Sequence, residues 1–346
     1  MSPQSRKKMT YGEFLIRLGN SGLKVSRIIL GLMSYGTKEW ADWVLEEKEG
    51  IEHIKAAYEA GIQTFDTANM YSNGESERIL GNAIKQLGLP RDEIVVMTKL
   101  CGIVGRTPAE VYWADTSKGD ANGYVNQYGL SRKHIFESVK KSLERLQLDY
   151  IDVLQCHRFD YNTPIEETMR ALHDVVQAGY ARYIGMSSCH AYQFHAMQNY
   201  AIANKLTPFI SVQNHYNLIY REEERDGTNN KDVWGWDDTL VTTCSFSESS
   251  LRFDTDPFAK LMGRVRDSNK EIVSRAEKIA KSRGISMAQV SIAWNLSKDY
   301  TTAPIIGITN LKNLHDTIDA IDVKLTEEEI RQLEEPYVPR AIIGHA

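Results

Sequence analysis

Leu30-Gly31-Leu32-Met33-Ser34-Tyr35-Gly36 decides how the alternating strands and helices of this chain are arranged. It follows from the first readable strand, Arg27–Gly31, where an open dinucleotide-binding sheet would carry a Gly-x-Gly-x-x-Gly turn. That turn is absent. Further strand patterns lie at Thr64–Asp66, Ile94–Lys99, Ile151–Cys156, Tyr183–Met186, Phe209–Gln213 and Pro304–Ile308. Helical patterns fall between them at Glu47–Ala60, Ser76–Leu87, Arg132–Leu146, Ile165–Ala178, Tyr192–Asn204 and Lys270–Ser282, with Met287–Ser297 before the last strand. Two helices stop at Ala60-Gly61 and Ala178-Gly179, where glycine suits a left-handed cap. Such alternation makes βαβ units and a parallel sheet. Seven units are readable and an eighth is expected between Gln213 and Lys270. The expectation is therefore an α/β fold, a closed (β/α)8 TIM barrel. Leu18-Gly19-Asn20-Ser21-Gly22-Leu23 reads as the turn of an N-terminal β-hairpin that plugs its bottom.

Composition narrows the class. The 346 residues carry 41 Lys+Arg against 46 Asp+Glu, a net charge of −5, which argues against a nucleic-acid binder. No apolar run approaches the roughly 18 residues of a membrane span. Met1–Thr10 is basic without an apolar stretch after it, unlike a secretory leader. Cys101, Cys156, Cys189 and Cys244 are widely spaced, which fits neither a zinc motif nor a disulfide framework and points to a reducing, cytoplasmic setting. The whole chain reads as one barrel domain, 1–346, with residues 1–12 as a tail.

In such barrels the chemistry lies at the C-terminal ends of the strands. Asp66, Lys99, His157, Ser187, Ser188 and Gln213 end strand patterns, and Tyr71 follows Asp66 in the next loop. A carboxylate and an ammonium on neighbouring strand ends pair. A lysine near a tyrosine hydroxyl favours phenolate, and that tyrosine can protonate a carbonyl oxygen with histidine as a second donor. Singly, each residue has a structural reading, as an ion pair, a packed ring or a satisfied imidazole. All four on one barrel face point to catalysis.

Phe65-Asp66-Thr67-Ala68-Asn69-Met70-Tyr71-Ser72-Asn73-Gly74-Glu75-Ser76-Glu77 resembles the first motif of the aldo-keto reductase superfamily. Asp66, Tyr71, Lys99 and His157 match its catalytic tetrad. The resemblance runs from about Leu18 to Asp226, resumes near Thr255, and is nearest the long fungal and bacterial branch. It implies hydride transfer from NADPH to an aldehyde or ketone without a metal, in a setting such as secondary metabolism. It also implies the cofactor contacts. Gly31, Leu32, Met33 and Asp66 lie by the first strands. Ser187, Ser188 and Gln213 serve the carboxamide, and Gly307, Thr309, Asn310 and Asn313 the adenosine phosphate. His157 and Tyr35 are assigned to substrate. The physics of Gly307–Asn313 agrees: a glycine admits backbone donors and a helix start attracts an anion, with Lys312 as the nearby charge. An ordinary strand-to-helix turn is the plainer reading of that spacing.

The stretch Gly102–Gly129 is long, with Tyr112, Trp113, Tyr124 and Tyr128 among glycines and polar residues. It reads either as a lid whose aromatics line a pocket for a flat substrate or as exposed filler.

Residues 227–253 depart from the family. Gly227 to Cys244 shows no clean strand, so the seventh strand–helix unit is doubtful, and without it the barrel would keep two unpaired edges. Family members carry a stretch like Gly-Val-Gly-x-x-Pro-Trp-Ser-Pro-Leu-Ala here. One base forward, the codons for Trp234-Gly235-Trp236-Asp237 force two glycines, and those through Ser245 permit the remainder. The segment thus reads as frame-shifted, with a divergent insertion as the alternative. The transcript across Val233–Leu251 is expected to encode that family stretch one base forward. Stop codons or an unrelated peptide in that frame would refute it.

Two other classes compete with a reductase. A non-catalytic NADPH-binding or regulatory homologue fits the altered segment, whereas the intact tetrad favours a reductase. A phosphosugar isomerase lacks the glycine phosphate loop and carboxylate base.

Overall fold

The computed structural model describes residues 14–112, 118–225, 239–243 and 267–345. Eight parallel strands form a closed barrel. In chain order these are β3 (Ile29–Gly31), β4 (Thr64–Asp66), β5 (Val95–Leu100), β6 (Ile151–Cys156), β7 (Ala181–Ser187), β8 (Phe209–His215), β9 (Thr239–Thr243) and β10 (Thr301–Gly307). β10 closes the ring against β3 with Ile305 opposite Ile29 and Gly307 opposite Gly31. The expected hairpin precedes them as β1 (Leu15–Arg17) and β2 (Lys24–Ser26), antiparallel with Ile16 opposite Val25.

The period of two along each strand sorts its side chains. Ile29, Val95, Met97, Val153, Ala303 and Ile305 form one buried cluster with Leu18 and Val25 of the hairpin, so the hairpin plugs the barrel. The alternate residues Leu30, Phe65, Val96, Leu154 and Ile184 pack outward with helical side chains such as Ile54, Leu80, Val139 and Leu172. Each fully buried aliphatic side chain contributes roughly 1.5–3 kcal/mol.

The surrounding helices are α1 (Glu47–Glu59), α2 (Glu75–Leu87), α3 (Arg132–Leu146), α4 (Ile165–Gln177), α5 (Ala191–Ala203), α6 (Asp267–Arg283), α7 (Met287–Leu296), α8 (Leu311–Asp319) and α9 (Glu327–Glu334). Gly61 (φ 106°) and Gly179 (φ 80°) are left-handed as expected after α1 and α4. Helix α9 went unread, although Thr326 and Glu329 form a capping box at its start. Among the described residues no helix is long and apolar enough to cross a membrane.

The reading of Gly227 to Cys244 as lacking a strand is corrected. Thr239–Thr243 pairs in parallel with β8, Val212 opposite Thr239 and His215 opposite Thr242, and with β10, Ile305 opposite Thr242. The seventh stave is therefore filled from inside the divergent segment. Closure is made by backbone N–H and C=O groups, which any residue but proline supplies, and Thr and Val suit strands. The described helices that follow it in the chain, before β10, are α6 and α7, while Trp234 and Trp236 lie outside the described residues.

Candidate active site

The upper layer of the barrel interior continues the same alternation with polar residues. Lys99 follows Val95 and Met97 inward on β5, and Gln155 follows Val153 on β6. At the end of β4, Asp66 stands beside them. Lys99 Nζ donates to Asp66 Oδ2 at 2.6 Å and to the Thr67 carbonyl at 2.8 Å, and both side chains are almost fully buried. Gln155 Nε2 donates to Asp66 Oδ1 at 3.1 Å, and Gln213 Nε2 to Oδ2 at 3.4 Å. The carboxylate thus holds one ammonium and two amides, the compensation a buried charge requires.

Tyr71 starts a short 3-10 turn, Tyr71–Gly74, and its hydroxyl lies 3.5 Å from Lys99 Nζ. Burial alone would lower the Lys99 pKa. The Asp66 carboxylate and the Tyr71 hydroxyl outweigh it and hold the ammonium above the ordinary lysine value. The Tyr71 ring meets His157 edge-on, centroids 5.7 Å apart at 80°. His157 begins the loop after β6, fixed by its backbone N–H to the Leu100 carbonyl at 2.8 Å. Burial, with the Arg158 and Lys99 cations adding to it, pushes its pKa well below the usual histidine value. The imidazole is neutral, so it carries one N–H, and Nδ1 makes no hydrogen bond within the protein. The four residues singled out by the sequence are therefore gathered around one point at the barrel mouth.

A second polar group lies beside Asp66. Ser188 (φ 45°) donates its N–H to the Gln213 carbonyl at 3.0 Å, and the Ser187 and Ser188 hydroxyls are 3.4 Å apart. Asn214, the next residue on β8, faces the other side of the sheet from Gln213. The buried Ser187, Ser188 and Gln213 side chains suit an amide-bearing ligand.

On the other side of the mouth, Gly307 is exposed, and a Cβ there would stand 3.2 Å from Ser34 Oγ. Asn310 caps α8 by accepting from the Lys312 N–H at 2.8 Å, and Thr309, Asn310, Lys312 and Asn313 are exposed around it. Leu32 lies between these groups but is fully buried: its N–H donates to the Asp66 carbonyl and its own carbonyl accepts from Ser76 Oγ, both at 2.8 Å. Gly31 is packed against Ile305, and Met33 against Trp40 and Trp43.

Tyr35 is not brought to the site. Its side chain is fully buried, with the hydroxyl 3.2 Å from His53 Nδ1 on α1. The resemblance assigned it to substrate, but the ring turns outward into the helical layer. The long loop also differs from expectation. Tyr124 is buried within it, donating to Glu110 and accepting from the Arg106 N–H at 2.9 Å, with Tyr112 edge-on at 5.1 Å. Tyr128 donates to Asp120 at 3.1 Å. These rings build the loop itself, and Trp113 lies outside the described residues.

Gln155 went unread, although its place two residues before His157 on an inward-facing strand was a signal. Arg158, whose Nη1 donates to the His157 carbonyl at 2.6 Å, had none beyond adjacency.

Comparison with known proteins agrees with this geometry. Residues 27–337 match the model of the aldo/keto reductase family. A versiconal hemiacetal acetate reductase of Aspergillus parasiticus is 47% identical, covering 94% of this chain and 97% of that protein. An aldo-keto reductase of Alternaria alternata is 46% identical over 95% of this chain and 93% of its own length. A provisionally named aryl-alcohol dehydrogenase of Schizosaccharomyces pombe is 45% identical over 94% and 96%. A barrel mouth that sets a lysine, an aspartate, a tyrosine and a neutral histidine together, in a chain matched over nearly its whole length, belongs to the aldo/keto reductase family, oxidoreductases that act on carbonyl and alcohol groups.

Proposed function

We propose that this protein reduces an aldehyde or ketone to the alcohol with NADPH, and that Tyr71 supplies the proton. The observation that carries the reading is the Tyr71 hydroxyl 3.5 Å from a lysine ammonium that is itself pinned by Asp66 and the Thr67 carbonyl. A bound nicotinamide supplies the hydride to the carbonyl carbon. As negative charge develops on the carbonyl oxygen, Tyr71 Oη gives it a proton and the Lys99 ammonium stabilises the phenolate left behind. His157, kept neutral by burial, offers its single N–H to the same oxygen. Asp66 does not exchange protons in this scheme. It holds Lys99 in place, with Gln155 and Gln213 fixing the carboxylate.

The buried Ser187 and Ser188 hydroxyls and the Gln213 amide beside Asp66 fit a carboxamide. Gly307, Thr309, Asn310 and Asn313, with the exposed Lys312, fit a phosphate at the start of α8, which favours NADPH over NADH. Gly31, Leu32 and Met33 would contribute mainly backbone, because their side chains are committed to packing. The relatives named for an aryl alcohol and for a hemiacetal, a masked carbonyl, support an aromatic carbonyl substrate in secondary metabolism.

The test is NADPH oxidation by the purified protein across a panel of aryl and aliphatic aldehydes and ketones, repeated with NADH. Turnover of aryl carbonyls with NADPH preferred is expected. Fluorescence-detected NADPH binding without turnover of any carbonyl would overturn this reading in favour of a binding protein.

A further inference from the structure

Ser72 anchors the turn that carries Tyr71, and Asn73 anchors a neighbouring loop to that turn. Ser72 (φ 48°), Asn73 (φ 52°) and Gly74 (φ 95°) are successive left-handed residues, a run that needs outside support because only glycine adopts it freely. Ser72 faces the loop after β3. Its Oγ accepts from the Thr37 N–H at 3.0 Å, and a Cβ on Gly36 would come within 2.1 Å of that oxygen. Asn73 faces the loop after β5. Its Nδ2 donates to the carbonyls of Thr107 at 2.8 Å, Glu110 at 2.7 Å and Pro108 at 3.3 Å, and its Oδ1 accepts from the Gly105 N–H at 2.9 Å. A Cβ on Gly105 would approach Nδ2 to 2.7 Å, so the loop needs glycine at this contact.

One carboxamide therefore satisfies four backbone groups of residues 105–110, a segment that has no strand or helix to satisfy them. The segment is also built to hold its shape beyond that point. Arg106 Nη2 donates to the Gly123 carbonyl at 2.5 Å, and Glu110 accepts from Tyr124. At its beginning, a Cβ on Gly102 would lie 2.9 Å from Met70 Sδ, so the loop runs beside the residues that flank Tyr71. Val111 and Val125 of the same loop expose 38% and 55% of their surface, apolar area that a flat ligand could cover.

We infer that Asn73 is a positioning residue for substrate specificity: it tethers loop 105–110 to the turn bearing Tyr71 and so sets the wall against which a bulky carbonyl substrate is held. This rests on the reading of Tyr71 as the proton donor. The Tyr71 hydroxyl itself is placed by Lys99, and the turn below it by the Ser72–Thr37 bond, neither of which Asn73 shares. Loss of the tether should therefore act on binding of large substrates and leave the chemical step in place.

The experiment compares wild type, Asn73→Gly and Asn73→Asp. Glycine keeps the left-handed backbone and removes all four bonds. Aspartate keeps the acceptor for Gly105 and sets a carboxylate against three carbonyls. For Asn73→Gly, KM for a planar aryl aldehyde is expected to rise about tenfold or more, with kcat, the constants for a short aliphatic aldehyde and NADPH affinity changed by no more than about twofold. Amide hydrogen exchange at the bonded N–H groups of Gly105, Arg106 and Glu110 should accelerate in Asn73→Gly, whereas in Asn73→Asp Gly105 should keep part of its protection. Equal losses for large and small aldehydes, or unchanged exchange in Asn73→Gly, would overturn the inference. A wild-type protein that turns over no carbonyl would remove the Tyr71 reading and the specificity role together. That outcome is distinguishable, because the tether would still show as exchange protection lost in the variants.

Discussion

Tyr71→Phe is expected to cut carbonyl turnover by about 10²–10⁴-fold, the usual contribution of a positioned general acid. The ring remains, so its edge-on contact with His157 persists. Only the hydroxyl 3.5 Å from Lys99 Nζ is lost. NADPH affinity should stay within about twofold, because the groups assigned to the carboxamide and phosphate are untouched, and kcat and kcat/KM should fall together. Steady-state kinetics beside a fluorescence titration with NADPH measures both. A variant that keeps most of its activity on aryl aldehydes would take the proton from elsewhere, with the neutral His157 the next donor in place.

Lys99→Met should damage stability as well as turnover. It strands Asp66, buried, with two amide donors in place of an ammonium. Breaking a buried pair from one side costs about 3–5 kcal/mol. For a chain of this size that amounts to a fall in Tm on the order of 10 °C. Adding Asp66→Asn removes the stranded charge and should recover most of that loss, while activity stays low because the ammonium beside Tyr71 is still missing. Thermal melts followed by circular dichroism, paired with NADPH-oxidation assays, separate the two effects. A single mutant that melts like wild type would mean that the pair adds nothing to the fold, and recovery of turnover in the double mutant would remove Lys99 from the chemistry.

The strands that build the barrel were readable because their signal is local. β4 and β6 fall at Thr64–Asp66 and Ile151–Cys156, the residues read from the alternation, and other strand ends shift by a few residues. Helix α8 was read only as a start, and α9 not at all. The divergent segment misled for a different reason. Its polar side chains hid a stave whose pairing depends on β8 and β10, strands distant in sequence.

The sequence by itself determined the α/β alternation, the hairpin ahead of the barrel, and the placing of Asp66, Lys99 and His157 at strand ends, with Tyr71 in the loop after the first of them. These follow from a period of two and from turn residues, which act over a few positions. Only the tertiary structure decided how those residues meet and what surrounds them. It brought Lys99 to Asp66 and Tyr71, added Gln155, turned Tyr35 away to His53, and gave Asn73 its four partners in a loop more than thirty residues on. Strand periodicity fixes which side of the sheet a residue faces. It carries no record of what stands opposite, and hydrogen-bond partners are chosen by barrel closure and loop packing between segments far apart in the chain.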